Sequence, residues 1–521
     1  MNKFASYWTD DTLSSLLERQ ARERPEAAAI VSEHGTMRYA ELAAHVEAKA
    51  QALAALGIGS GDVVSVQLPN AGEFLIAYLA IARLGAVLST IHMPYRAREA
   101  ADLMRAARSR AFIGPTKWHG QNPVEEMLAV AASLPDVRAF IAVGAGAPPS
   151  AVAWDQLSGT RSKALPELPM PDRPFLLLYT SGTSAKPKGI QADYRRFMAN
   201  ARTNIPEMGI GPDSVMLSAA PYTHLLGLLT FHMLLHVGGT NLLLSEFAPQ
   251  AFVDAIRKGR PSHVFAAPAH VAACLSQDIL DSEALTSVRY FVVSGATAPG
   301  TLYRDLKARM RDGAVAQVWG MTELQCGIFH RPGETIERVA MTCGRPAPGF
   351  ETRVVGLDER ALDAGADGEL QVRGVSVIEG YFENPEVTAA AFTPDGWFRT
   401  GDTAMIDAEG YVAITGRLKD IINRGGIKIN PLDVEEAIAR HPSVAQCAIA
   451  PVPDPVLGER ACAYVVLKPN CRLALTEITE WLARHEFAKI KWPERLEIIA
   501  EMPLTPTRKV IKSRLRPAAP A

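Results

Sequence analysis

Apolar positions along the first half of the chain alternate between helical and strand periods. Leu42, Val46, Leu53 and Leu56 fall on one face of a helix that Gly57 can end. Residues 63–68 then read as a strand, and residues 71–84 as a largely apolar helix. Strands alternating with helices predict a mainly parallel sheet covered on both faces. Residues 225–244 contain no Asp, Glu, Lys or Arg and are about long enough to span a bilayer. The run carries His232, His236 and the Gly238-Gly239 pair and ends in a strand-like leucine triplet. A buried helix, a turn and a strand therefore describe it better than a membrane span. Residues 144–150 and the proline-rich 166–174 predict surface connections. Beyond about Thr403 the pattern changes to hairpin pieces at 403–406 and 411–414, turning at Asp407-Ala408-Glu409-Gly410. The last hundred residues mix strands with helices such as 432–441 and predict a small α+β domain, with 517–521 as a disordered tail.

At 521 residues the chain exceeds what one core holds, so two or more domains are expected. An apolar content of 48% with 21% charged residues is that of an ordinary globular protein. Lys and Arg total 54 against 56 acidic residues, a net charge of −2. That balance excludes a strong overall field for nucleic acid or anionic membrane, so a positive cleft would be local. Cys274, Cys326, Cys343, Cys447, Cys462 and Cys471 show no CxxC or metal-ligand spacing and predict reduced packing residues of a cytoplasmic protein. Residues 1–6 lack the long apolar segment of a signal peptide.

The densest chemistry lies at 179–189, Tyr-Thr-Ser-Gly-Thr-Ser-Ala-Lys-Pro-Lys-Gly, after an apolar run at 175–178 that reads as a buried strand. Hydroxyls, backbone N–H groups and two lysines suit a polyphosphate. The stretch is not a Walker A loop, because Pro187 separates the lysines and Gly189 follows. Taken alone it also reads as a solvated turn. Downstream stand Ser294-Gly295-Ala296-Thr297-Ala298-Pro299, Trp319-Gly320-Met321-Thr322-Glu323, Thr400-Gly401-Asp402, Gly416-Arg417-Leu418-Lys419-Asp420, and Pro503-Leu504-Thr505-Pro506-Thr507-Arg508-Lys509.

In this order and spacing the set resembles the adenylate-forming superfamily of acyl-CoA synthetases, adenylation domains and firefly-type luciferases, from about Leu13 to Arg514. Among these the chain looks most like an acid:CoA ligase. The resemblance implies an α/β fold. A large N-terminal domain, residues 1–416, would combine mainly parallel sheets covered by helices with a β-barrel-like part. A small mobile α+β domain, residues 417–521, would follow. It implies ATP, Mg²⁺ and coenzyme A, with a carboxylate attacking the α-phosphate and a thiol then attacking the acyl-adenylate. Thr180, Ser181, Gly182, Thr183, Ser184 and Lys188 would surround the β- and γ-phosphates. Thr322 would contact phosphate and Glu323 would hold magnesium, as one carboxylate plus phosphates suits that ion. Asp402 would accept bonds from the ribose hydroxyls, with Arg417 adding a ribose or phosphate contact. Trp319 takes the place of a Tyr or Phe that stacks on adenine. Ala296 and Thr297 would line the other side of the base, and Gln317 and Gly320 belong to the same nucleotide set.

Lys509 resembles the lysine that bridges carboxylate and α-phosphate. Arg508 stands there where glycine is commoner, and Ser184-Ala185 stands where Thr-Gly is usual. Lys419 matches the hinge about which the small domain turns, presenting a CoA tunnel near Gly425, Gly426 and Ile427. His224 matches a gate to the acyl pocket; a lone histidine can equally be structural. Leu226, Thr230, Val318, Met321 and Cys326 would line that pocket. Residues 225–245 hold no acidic partner for a substrate ammonium, which argues against an α-amino acid. Val318, where some relatives have glycine, would narrow the pocket toward a medium-chain, alicyclic or simple aromatic acid. Loading of a separate carrier protein in place of CoA is the alternative, and a homodimer is open at this point.

Overall fold

In the computed structural model the described residues are 3–157, 165–180, 187–425, 427–505 and 510–515. Two helices set the architecture. In Gly72–Arg83 every residue from Phe74 to Ala82 is buried, and in Leu225–Val237 ten residues are buried. A helix apolar on all sides must be covered on all sides. Both share one core with helices Leu13–Glu23 and Tyr39–Ala55 and with strands from two different sheets, among them Ala28–Ser32 and Pro174–Thr180. The run at 225–244 is accordingly a helix, a left-handed turn at Gly238 (φ 72°) and the strand Thr240–Leu242. A Cβ on Gly238 would sit 2.4 Å from Oε1 of Gln20. The Gln20 amide nitrogen caps the helix by donating to the carbonyls of Leu235 and His236, each at 3.1 Å. Among the described residues no helix is long and apolar enough to cross a membrane.

The first sheet orders seven strands as Val152–Ala153, Ala139–Val143, Ala111–Pro115, Val63–Val66, Val87–Thr90, Pro174–Thr180 and Lys188–Asp193. All pair in parallel except the last, which returns antiparallel beside Pro174–Thr180. The second sheet has nine strands around a parallel centre formed by Ala314–Met321, Tyr290–Ser294, His263–Ala266, Val215–Ser218, Thr240–Leu242 and Ala28–Ser32. The β-barrel-like part takes the form of a four-stranded antiparallel sheet, Phe350–Val355, Gly368–Gly374, Phe398–Ile406 and Val412–Arg417. A mixed sheet of five strands between Ile422 and Ile498, with helices Leu432–Ala439 and Leu475–Arg484, makes the small α+β part.

Three local readings shift. The strand expected at 63–68 ends at Val66. Its neighbour Gln67 is buried, and its side-chain amide donates to the carbonyls of His92 (3.0 Å) and Tyr95 (2.8 Å). Leu56 caps helix Tyr39–Ala55 instead of lying within it, partly buried against the same core as Leu42, Val46 and Leu53. The change to hairpins comes at Phe350, not near Thr403. The alternation there is short: Leu370 and Val372 enter the core, Gln371 on the other face accepts from Arg353 Nε at 2.9 Å, and Val354 and Val355 are buried side by side.

Burial has a measurable consequence for the histidines. Desolvation pushes His92, His263 and His330 each down to about 4 from the ordinary 6.5. The unfolded chain therefore binds more protons than the native one between about pH 6.5 and 4. Stability is full above pH 6.5 and falls as pH drops through that window, by about 2 kcal/mol per histidine at pH 5. Thermal melts should lose on the order of 10 °C between pH 7.5 and 5; a flat Tm over that range would contradict the assignment.

Candidate active site

The phosphate-type loop is held at both ends by a ladder. Thr180 ends one strand and pairs with Lys188, which starts the next, so the chain leaves and re-enters at one rung. Ser181, Gly182, Thr183 and Ser184 lie outside the described residues. The Lys188 ammonium stands 5.0 Å from the ring centroid of Tyr381. Phe382 N donates to Gly189 O at 2.8 Å, which joins the same segment to the strand's start.

Thr322 and Glu323 occupy the tight turn between Ala314–Met321 and Gln325–Phe329. Gly320 makes that turn sterically feasible, since a Cβ there would lie 1.9 Å from Gln325 O. Gln325 leaves the turn at φ 67°, a left-handed conformation costly for a non-glycine residue. Glu323 is buried, and its Oε1 accepts from the Tyr381 hydroxyl at 2.9 Å. Burial first, then the Glu323 charge, pushes the Tyr381 phenol pKa up, so the hydroxyl stays a donor. Among the described residues no cluster of three or more His, Cys, Asp and Glu could close around a metal ion. A single buried carboxylate fits a cation that also takes substrate oxygens, which is the usual habit of Mg²⁺.

The start of this turn also carries the nucleoside-type groups. Trp319 Nε1 donates to Asp402 Oδ2 at 2.9 Å, and Arg417 Nε lies 3.2 Å from Asp402 Oδ1. Asp402 and Arg417 are register partners in the antiparallel sheet. A carboxylate has about four acceptor sites, so each Asp402 oxygen keeps capacity for a further hydroxyl. Ala296 and Thr297 are exposed at the C-terminal end of strand Tyr290–Ser294, where ligands of open α/β sheets bind. Gln317 Nε2 donates to Cys343 Sγ at 3.2 Å.

Leu226, Val318, Trp319, Met321 and Cys326 belong to one apolar cluster. Cys326 is wholly buried, and burial pushes its thiol up to about 12. Thr230 is buried too, with its hydroxyl donated to Gly227 O at 2.7 Å within its own helix. His224 caps the helix, its Nδ1 accepting from Leu226 N at 3.3 Å. The loop before it is anchored by buried Asn70, which donates to Ala220 O (3.1 Å) and accepts from Tyr222 N (2.7 Å).

Lys419 sits in the exposed short turn Leu418–Asp420, directly after Arg417. Gly425 (φ 57°) and half-exposed Ile427 form the hairpin joining Ile422–Arg424 to Ile427–Ile429; Gly426 lies outside the described residues. Lys509 and Arg508 also lie outside them. The flanks are fixed, because Leu504 pairs with Val510 and Ile511 N donates to Pro503 O at 2.8 Å. Tyr381 and Asn70 are functional candidates that sequence reasoning missed. Neither offered a local signal, since the contacts of both are tertiary.

A family model described as AMP-binding enzyme matches residues 17–382, and one described as AMP-binding enzyme C-terminal domain matches residues 433–509. The chain is 31% identical over 516 residues to a medium-chain fatty-acid–CoA ligase of Escherichia coli K12, covering 98% of this chain and 90% of that protein. It is also 31% identical over 525 residues to a salicyl-AMP ligase / salicyl-S-ArCP synthetase of Mycobacterium tuberculosis, covering 98% and 91%. The fold matches the crystal structure of ATP-bound MatB from Rhodopseudomonas palustris with a TM-score of 0.85 at 26% identity, over 96% and 97% of the two chains.

Proposed function

The chain belongs to the AMP-binding, adenylate-forming enzymes, and within them we propose that it is an acid:CoA ligase. A substrate carboxylate oxygen attacks the α-phosphorus of ATP, the bond to the bridging oxygen breaks, and pyrophosphate leaves. The CoA sulfur then attacks the acyl carbon, the bond to AMP breaks, and the thiol proton passes to solvent. One observation carries the reading. The strand and turn 319–323 bring a nucleoside-type corner (Trp319, Asp402, Arg417) next to a phosphate-type corner (Glu323, Tyr381, Lys188).

Each group then has one task. Asp402 accepts the ribose hydroxyls while Trp319 and Arg417 hold it, and the Trp319 face meets adenine. Thr180, Thr322 and Lys188, with the 181–184 loop, take the β- and γ-phosphates. Glu323, together with phosphate oxygens, would hold magnesium, which would supply charge neutralisation at the leaving pyrophosphate. Lys509 bridges the attacking carboxylate and the α-phosphate. Residues 1–416 form the unit that binds ATP and acid. Residues 417–521 swing about Lys419 and present Gly425, Gly426 and Ile427 to CoA.

The acid is medium-chain, alicyclic or simple aromatic. The shared apolar cluster of Leu226, Val318, Met321 and Cys326, and the lack of an acidic residue at 225–245, support this class. A carrier protein is the second acceptor to consider, since the salicyl-S-ArCP synthetase is as similar to this chain as the CoA ligase. Pyrophosphate and AMP release should be measured with ATP, Mg²⁺ and a panel of carboxylic acids, with and without CoA. Turnover that needs both acid and CoA and peaks with six- to ten-carbon or ring acids is the expected result. A peak with long chains would overturn the substrate class. Pyrophosphate stalling at one equivalent despite CoA would overturn the CoA acceptor in favour of a carrier.

A further inference from the structure

We infer that Tyr381 is a positioning residue for adenylation, its hydroxyl orienting Glu323 and its ring seating Lys188. The inference rests on the reading above in which Glu323 takes the magnesium ion.

Contacts of three kinds converge on this residue. The Tyr381 hydroxyl donates to Glu323 Oε1 at 2.9 Å, with the two residues 8% and 7% exposed. The Lys188 ammonium faces the ring at 5.0 Å. The backbone of 376–382 is bonded on both sides. Toward the Glu323 turn, Ile378 N donates to Glu323 O at 2.9 Å and the Ser376 hydroxyl to Leu324 O at 2.5 Å. Toward the phosphate strand, Phe382 N donates to Gly189 O and Tyr381 pairs with Ile190 in an antiparallel bridge.

The turn belongs to the nine-stranded sheet and Lys188 to the seven-stranded one. Tyr381 is thus where a segment from outside both sheets ties a metal-type carboxylate to a phosphate-type ammonium. A carboxylate ligand gains direction when one oxygen accepts a fixed hydrogen bond, because its rotamer no longer averages. An ammonium against an aromatic face keeps its charge yet loses positional freedom. Simple core packing would require neither the hydroxyl nor the cation at the ring.

Tyr381→Phe removes the hydroxyl and keeps the ring; Tyr381→Leu removes both. The probe is Mn²⁺ binding to the enzyme–ATP complex, followed by the electron paramagnetic resonance of free Mn²⁺, alongside Tm. Tyr381→Phe should weaken Mn²⁺ binding by roughly 10-fold and raise the Mg²⁺ needed for half-maximal pyrophosphate release, with Tm within a few degrees of wild type. Tyr381→Leu should in addition raise KM for ATP, and Tyr381→Phe carries the test should the leucine variant fail to fold. Unchanged Mn²⁺ affinity in Tyr381→Phe, with a loss in Glu323→Gln, would overturn the positioning role and leave the metal reading intact. A lowered Tm with unchanged affinity would assign plain packing and likewise overturn it. Equal affinity in wild type and Glu323→Gln would overturn the metal reading itself.

Discussion

Lys509→Ala is expected to cut acyl-adenylate formation by on the order of 10²–10³-fold while ATP still binds. Two anions meet when a carboxylate attacks a phosphate, and the barrier is dominated by charge gathered on a pentavalent phosphorus. A cation bridging both reactants acts mainly in that transition state, so its loss should appear in kcat rather than in ATP affinity. Arg508 is the competing cation, one residue earlier. Arg508→Gly, which restores the commoner family sequence, should leave adenylation within a few-fold of wild type; a loss equal to that of Lys509→Ala would transfer the role to Arg508. Thioester formation from a supplied acyl-adenylate should survive Lys509→Ala. The segment's flanks support a local effect: Leu504 pairs with Val510, and the Lys512 ammonium binds Glu435 Oε1 at 2.6 Å. Exchange of label between pyrophosphate and ATP measures the first step alone, and unchanged exchange would refute the role.

Asp402→Ala is expected to raise KM for ATP by on the order of 10²-fold, because two hydrogen bonds to a charged acceptor disappear together. It also strands the Trp319 indole N–H and the Arg417 guanidinium that the carboxylate now receives. Trp319→Phe keeps an aromatic face but donates nothing, so a rise of about tenfold is expected from loss of one charge-assisted bond. ATP analogues lacking one ribose hydroxyl separate the contributions. Wild type should discriminate strongly against them, and Asp402→Ala should not. Retained discrimination in Asp402→Ala would place ribose recognition elsewhere.

Much of the fold is legible because burial on all sides leaves a plain mark. The stretches at 72–83 and 225–237 read as core helices from composition alone, and Gly238 marks the end of the second. The start of the antiparallel sheet is not legible. Residues 368–373 do alternate, with Leu370 and Val372 in the core, but they offer only two apolar positions, and their partner strand breaks the period with Val354 and Val355 buried side by side. The short motifs locate the site's chemistry, but its pairings come from tertiary contact. Trp319 and Asp402 lie 83 positions apart, and neither helical nor strand periodicity carries that information. Tyr381 escaped because it sits in a connecting segment, where its contacts to Glu323 and Lys188 have no local signature.

The burial of Cys326 bears on a hazard peculiar to this chemistry. A mixed anhydride between an acid and AMP is an acylating reagent, and the first nucleophile to reach it takes the acyl group. Attack by sulfur requires the thiolate. With its thiol pushed up to about 12, Cys326 is almost wholly protonated near neutrality, and Cys343 is held alike. The Thr230 hydroxyl is already committed to its own helix. In the acyl pocket proposed above, such a wall would offer an acyl-adenylate no ready nucleophile, and desolvation of the thiol would count against self-labelling of the protein.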